Sequence, residues 1–364
     1  MPKSKFTLVL TVTMTSLLAS GARADTFAYV ANADSNDISV FRIEPSNGKA
    51  DAVETVAFPG VEKPGSSTPL ALSPDHLTLF AGVRAQPYTV LSFAIDPKSG
   101  HLTYRGSGPL ADSMANIATD HTGKFLFSAS YGGNKVALNP IGADALVQAP
   151  KDVIPTGLNA HAFLPSPDNH FVFATNLGSD QILSFRFDAA TGALTPNEPA
   201  AIKVAEKNGP RHFVFHPNGK FVYLVNELSA ALLVFAYDAA HGTWQQIQQA
   251  SALPQGFDGK PWAADIHLTP DGRFLYASER TSSTLAAFKV DAESGKLTPL
   301  GSVPTEKQPR GFAIDPTGHV LAAVGEVSDG MSLYAIDQAS GALKLLQSYP
   351  VGKKPNWVEF AAFP

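Results

Sequence analysis

The sequence predicts an all-β protein, a seven-bladed propeller of four-stranded antiparallel blades, whose ring closes when the C-terminal strand joins the N-terminal blade. Three observations predict it. A polar turn between two apolar runs recurs along the 364 residues. An apolar strand running into a glycine turn recurs in alternation with it. The chain ends on the start of a further unit and stops there.

The first signature reads "LALSPDHLTLFAG", "IATDHTGKFLFSA", "FLPSPDNHFVFAT", "FVFHPNGKFVYLV", "IHLTPDGRFLYAS" and "FAIDPTGHVLAAV". Its markers, Pro74, His121, Pro167, Pro217, Pro270 and Pro316, lie 46 to 53 residues apart. Asp75, Asp168 and Asp271 fall inside these turns and are turn-formers by type. The second signature ends in Gly48, Gly100, Gly192, Gly242, Gly295 and Gly341. The interval from Gly100 to Gly192 is a double step, which places a degenerate copy near "NPIGADALVQ" and brings the count to seven. Each unit holds four short strands; in one they are "RHFVFH", "FVYLVN", "ALLVFAYD" and "WQQIQQA". Short strands between Pro, Gly, Asn and Asp turns, without helical periodicity, argue all-β. A period near fifty residues with four strands is that of a propeller blade. The C-terminal "KKPNWVEFAAFP" matches the start of a unit, and "TFAYVANADSNDISVF" matches a unit lacking its first strand. Joining the two leaves no large open sheet edge.

Composition agrees. Apolar residues make up 44% and charged ones 16%, with 29 Gly and 28 Pro, enough for a core and for many turns. The net charge of −5 and the absence of any Lys/Arg run exclude a nucleic-acid footprint. There is no cysteine, which excludes a cysteine nucleophile or a Cys-ligated metal. The histidines stand singly, and no H-E-x-x-H, G-x-S-x-G, phosphate-loop or dinucleotide fingerprint is present. No metal and no cofactor are expected.

Residues 1–24 are of another kind. Lys3 and Lys5 precede an apolar run from Phe6 to Ala19, followed by Ala22-Arg23-Ala24. This is the pattern of a secretory signal with its cleavage site, and the run is short for spanning a bilayer. The expectation is a periplasmic protein with a single propeller domain over 25–364, monomeric and without a membrane span.

Two registers carry the candidate chemistry. Six residues before the turn marker lie Thr68, Ala115, His161, Arg211, Ala264 and Arg310, with Asn356 in the final partial unit. Ten residues after it lie Arg84, Tyr131, Leu177, Glu227, Arg280 and Glu326. The first register begins the channel-lining strand and the second ends its antiparallel neighbour, so both meet at one end of the propeller. His161, Arg211, Glu227 and Arg310 are the candidate catalytic residues, because charges gathered at a channel mouth are costly unless used. Arg84, Arg280, Asn116, His212 and Asp265 are the candidate substrate-binding residues around them. Taken singly, His212 and His267 also read as histidines satisfied between blades.

The stretches "GPRHFVFHPNGKFVYLVNEL", "PWAADIHLTPDGRFLYASERT" and "QPRGFAIDPTGHVLAAVG" resemble the bacterial 6-phosphogluconolactonase family of seven-bladed propellers, whose superfamily includes fungal carboxymuconate lactonising enzymes. The resemblance covers nearly all of 25–364 and is weakest around 135–155. It implies a site of one His, two Arg and one Glu at the channel mouth, matched by His161 in "NAHAF", Arg211 in "GPRH", Glu227 in "VNEL" and Arg310 in "QPRG". It also implies the reaction, hydrolysis of an aldonic acid lactone. An exported protein would meet glucono-1,5-lactone, which is the expected substrate. The alternatives are the 6-phosphorylated lactone, a lactonising cycloisomerase, or a periplasmic propeller that binds without catalysis. In the expected mechanism Glu227 is the general base, His161 its partner or the acid, and Arg211 and Arg310 hold the oxyanion.

Overall fold

The computed structural model describes residues 1, 25–63 and 65–363. The rest of the expected signal segment lies outside the described residues. Seven four-stranded antiparallel sheets stand around one axis. Their inner strands are Pro355–Phe363 in blade 1, then Leu70–Leu72, Met114–Thr119, Ala160–Pro165, Pro210–Phe215, Ala263–Leu268 and Pro309–Ile314 in blades 2 to 7. Blade 1 takes its inner strand from the C-terminus and the other three, Asp25–Asn32, Asp37–Glu44 and Lys49–Ala57, from the start of the domain. The closing pair runs antiparallel from Asp25↔Phe363 to Asn32↔Pro355. The degenerate copy is blade 3. There the strand Lys135–Pro140 is followed by an excursion pinned by an Ile141↔Val147 bridge, and the outer strand, Asp152–Pro155, has only four residues.

The burial of each strand follows from its distance to the axis. Second strands such as Phe171–Asn176 and Phe221–Asn226 are buried at every position, because neighbouring blades cover both faces. They therefore read as mainly apolar runs that end on a polar residue, Asn176 and Asn226. Outer strands such as Thr243–Ser251 are half-buried or exposed at all positions but one, Trp244.

The repeated glycine has two causes. In "DPKSG", the Gly100 N–H donates to the Asp96 carbonyl at 2.8 Å, and the turn holds Gly100 at φ +76, within the +65 to +76 found for all six signature glycines. An added Cβ would also strike the neighbouring blade. At Gly100 it would lie 2.3 Å from the Phe27 ring, and at Gly295 2.4 Å from Phe221. The same glycines accept from that neighbour's tyrosine: Tyr29 Oη donates to the Gly100 carbonyl (3.1 Å) and Tyr223 Oη to the Gly295 carbonyl (2.9 Å). A Phe-x-Tyr strand in one blade thus locks onto the glycine turn of the next. Truncating such a buried Phe costs ~3–5 kcal/mol.

Candidate active site

The residues of the first register are aimed by bulges. Pairing between inner and second strands slips between Ala160 and Ala162, between Pro210 and His212, and between Pro309 and Gly311. The extra residue in each slip is His161, Arg211 or Arg310. A bulge bends its strand and re-aims the unpaired residue, which turns these three towards the top of the channel. The second register is fixed by the adjoining loop; for Glu227, its N–H donates to the Gly209 carbonyl at 2.7 Å.

Four arginines and two carboxylates converge there. Glu227 Oε2 accepts from Arg211 Nε at 3.0 Å and from Arg280 NH2 at 2.7 Å. Arg211, only 1% exposed, also donates through NH1 to the Ala264 carbonyl of the next blade. Arg280 is clamped further: Nε donates to the Trp262 carbonyl (3.1 Å), NH2 to the Ala263 carbonyl (3.0 Å), and the guanidinium lies 4.0 Å over the Trp262 ring. Arg310 NH1 donates to Glu326 Oε1 (3.1 Å) and its NH2 to Ser67 Oγ (3.2 Å). Arg84 NH1 donates to the same Ser67 Oγ (2.8 Å), and Arg84 Nε to Ser113 Oγ (3.0 Å). Burial and the neighbouring Arg280 bring Arg211 down to about 9, and burial with Arg310 brings Arg84 to about 10. Both remain cations at neutral pH, so the mouth carries two more positive charges than negative ones.

Glu227, the expected base, is thus the shared acceptor of two guanidiniums. Burial opposes its ionisation, but Arg211 and Arg280 outweigh burial and hold the carboxyl below its ordinary range. His161 is the opposite case. It is buried, no hydrogen bond engages it among the described residues, and its Nδ1 is sealed without a partner. Burial, then the positive fields of Arg211, Arg310 and Arg84, push its pKa well below 6.5 and keep the ring neutral. A buried polar group left without a partner costs ~1–3 kcal/mol, and such exceptions call for a role. Tyr131 stands beside it, ring centroids 6.0 Å apart.

The remaining expected site residues lie under the ring. His212 Nδ1 pairs with Asp265 Oδ1 at 2.8 Å across blades 5 and 6, and His267 Nε2 with Asp265 Oδ2 at 3.2 Å. Asn116 Oδ1 accepts from the Phe163 N–H (3.1 Å), tying blade 3 to blade 4. These residues, with Trp357 and Glu359, line a channel cavity of about 440 Å³. Burial raises the Glu359 carboxyl to about 7. Asn116, His212 and Asp265 are therefore engaged in inter-blade hydrogen bonds below the arginine ring, whereas Arg84, Arg280, His161, Arg211, Glu227 and Arg310 come together within it. His212 touches both levels, its ring centroid 5.0 Å from that of His161. Sequence reasoning missed Ser67, Ser113 and Trp262, which occupy neither register. Glu326 shared the register of Glu227, and that position was its signal. Among the described residues no group of His, Asp and Glu is placed to hold a metal ion, and no helix is long and apolar enough to cross a membrane.

Comparison with known proteins meets this geometry. Residues 55–360 match the family model "Lactonase, 7-bladed beta-propeller". The 6-phosphogluconolactonase of Serratia proteamaculans is 42% identical over 288 residues, covering 79% of this chain and 84% of the relative. That of Pectobacterium carotovorum is 41% identical over 287 residues, with the same coverage. Among solved structures, the periplasmic gluconolactonase of Pseudomonas aeruginosa superposes with a TM-score of 0.84 at 30% identity, covering 93% of this chain and all of the other. With its seven closed blades and a mouth that gathers His161, Arg211, Glu227 and Arg310, this chain belongs to the seven-bladed β-propeller lactonase family and is a lactonase.

Proposed function

We propose that the enzyme hydrolyses an aldonic acid 1,5-lactone at the arginine ring, with 6-phosphogluconolactone as its substrate and His161 as the general base. The observation that carries this reading is the neutral, unpartnered His161 set among cations. A water at the mouth gives a proton to the imidazole as its oxygen attacks the lactone carbonyl carbon. Negative charge develops on the carbonyl oxygen, where Arg211 stands ready; its NH2 makes no hydrogen bond among the described residues. Collapse of the tetrahedral intermediate breaks the bond from carbonyl carbon to ring oxygen, and the imidazolium returns its proton to that leaving oxygen. The products are an aldonate and a proton. Preorganised charge of this kind is ordinarily the largest catalytic contribution, and a positioned base adds ~10²–10⁴-fold.

In this reading Glu227 and His161 exchange the roles expected from sequence. The Glu227 carboxylate already accepts from two guanidiniums on one oxygen, and its work is to orient Arg211 and Arg280. The phosphorylated substrate is supported by the excess of two positive charges at the mouth and by the relatives named 6-phosphogluconolactonase. A second reading, glucono-1,5-lactone in the periplasm, is favoured by the Pseudomonas aeruginosa neighbour and by the secretory pattern of residues 1–24. The ring is complete within one chain, so neither reading needs a second subunit. The test is a hydrolysis screen of both lactones and simple γ-lactones, with the uncatalysed rate subtracted. An enzyme that opens none of them, or a His161→Ala variant with full activity, would end this assignment.

A further inference from the structure

We propose that Arg84, Ser67 and Arg310 form an anion subsite that takes the phosphate of a phosphorylated sugar lactone and sets the preference for it over the unphosphorylated lactone. This rests on the reading of the mouth as a lactone-opening site and adds which residues read the far end of the substrate.

The Ser67 hydroxyl is the central observation. Its oxygen accepts from Arg84 NH1 at 2.8 Å and from Arg310 NH2 at 3.2 Å. A hydroxyl has two acceptor lone pairs and one proton. With both lone pairs used, the proton must point away from the two guanidiniums, and no acceptor among the described residues receives it. Ser67 is 1% exposed, so this donor is held by its surroundings and not by bulk water.

The charge balance points the same way. Two guanidiniums on one neutral oxygen repel each other. Of the two, only Arg310 has a carboxylate, Glu326, whose other oxygen accepts from Gln308 Nε2 at 2.8 Å. Arg84 forms no ion pair among the described residues; its remaining bond is to the Ser113 hydroxyl, and its NH2 is unbonded. Burial with Arg310's field lowers Arg84 to about 10, a sign of that repulsion. An anion with several oxygens would relieve it, taking donors from Arg84 NH2 and the Ser67 hydroxyl under both positive charges. Arginine suits phosphate oxygens for this reason.

Placement across the mouth fits a ligand with two ends. Arg84 and Arg310 belong to blades 2 and 7, which flank blade 1, whereas His161 and Arg211 belong to blades 4 and 5 on the far side. In a 6-phosphorylated aldonic lactone the reacting carbonyl and the phosphate sit at opposite ends of the six-carbon chain.

The test measures kcat/KM for 6-phosphogluconolactone and glucono-1,5-lactone in the wild type, Arg84→Gln and Ser67→Ala, and calorimetric binding of 6-phosphogluconate and gluconate to each. Arg84→Gln is expected to lower the ratio of the two kcat/KM values by ~10–100-fold, as for loss of one charge-assisted hydrogen bond, and Ser67→Ala by ~3–10-fold. The phosphorylated product should bind the wild type more tightly than gluconate, and the variants should lose that difference. An unchanged ratio, or equal losses for both lactones, would mean that these residues only hold the mouth together and would overturn the proposal. A wild type that binds both products alike would overturn it too, even if lactones are opened. An enzyme that opens neither lactone yet prefers 6-phosphogluconate would sink the lactone reading and leave the subsite standing.

Discussion

Replacing Glu227 by Gln separates the two roles open to this residue. The change keeps shape and one acceptor oxygen but removes the charge between Arg211 Nε (3.0 Å) and Arg280 NH2 (2.7 Å). Two buried guanidiniums then face each other without their counter-ion. Breaking a buried pair from one side costs ~3–5 kcal/mol. The Glu227 side chain is 13% exposed at a wet mouth, which argues for the low end, about 3 kcal/mol. Against a typical stability of ~5–15 kcal/mol this is a large loss, and it should lower Tm by on the order of 5 °C. Arg211 would also lose its orientation, and a displacement of ~1 Å at a reacting centre can cost ~10²-fold in rate. The two roles differ most in the pH profile. With His161 as base, kcat/KM of the wild type stays level as pH falls to 6.5 and declines only below it, because the folded ring is held below that value. Glu227→Gln should keep that acid limb at a lower plateau. The assay is initial lactone hydrolysis from pH 5 to 8, corrected for spontaneous opening, alongside thermal melts. If the variant melts like the wild type and its acid limb disappears, Glu227 is the base and the clamp argument fails.

Three further outcomes are expected. His161→Ala should lose ~10²–10⁴ in kcat, and since no hydrogen bond is lost, its fall in Tm should reflect only the cavity left by the buried ring; retention of near-full activity removes it from the mechanism. Arg211→Ala should lose ~10²–10³ in kcat as an oxyanion donor. It should also destabilise, because it strands Glu227, so circular dichroism must establish folding before the rate is read. His212 has its folded pKa depressed from 6.5 to about 4 by burial and by Arg211. The unfolded state therefore binds its proton first, and the corresponding stability is present above pH 6.5 and lost as pH falls towards 4. This amounts to about 3 kcal/mol at 1.36 kcal/mol per unit. Denaturant unfolding of the wild type against His212→Gln at pH 7 and pH 4 should show the difference between them narrowing by that amount, and a constant difference would contradict the assignment.

What the sequence determined by itself was the periodic part of the molecule. Four strands per unit, seven units and closure by the C-terminal strand are all local facts of turn chemistry and apolar run length, repeated until they cannot be misread. Even the top-face ring was legible, because a propeller maps register onto position: residues six before and ten after each turn must share one rim. Only the tertiary structure decided what those residues do for one another. Arg211 and Arg280 come from different blades and meet on one oxygen of Glu227, and that pairing, invisible to register, makes the carboxylate a clamp and leaves His161 as the free group. Ser67 lies in a loop outside both registers, yet it bridges Arg84 and Arg310 across 243 residues of sequence to the latter. His212 and Asp265 looked like members of the ring until packing drew them into a pair between blades 5 and 6. The physical reason is the same each time. Strand and turn preferences act over a few residues, whereas the ionisation and hydrogen bonding of a side chain are set by whichever groups closure of the ring brings within about 3 Å.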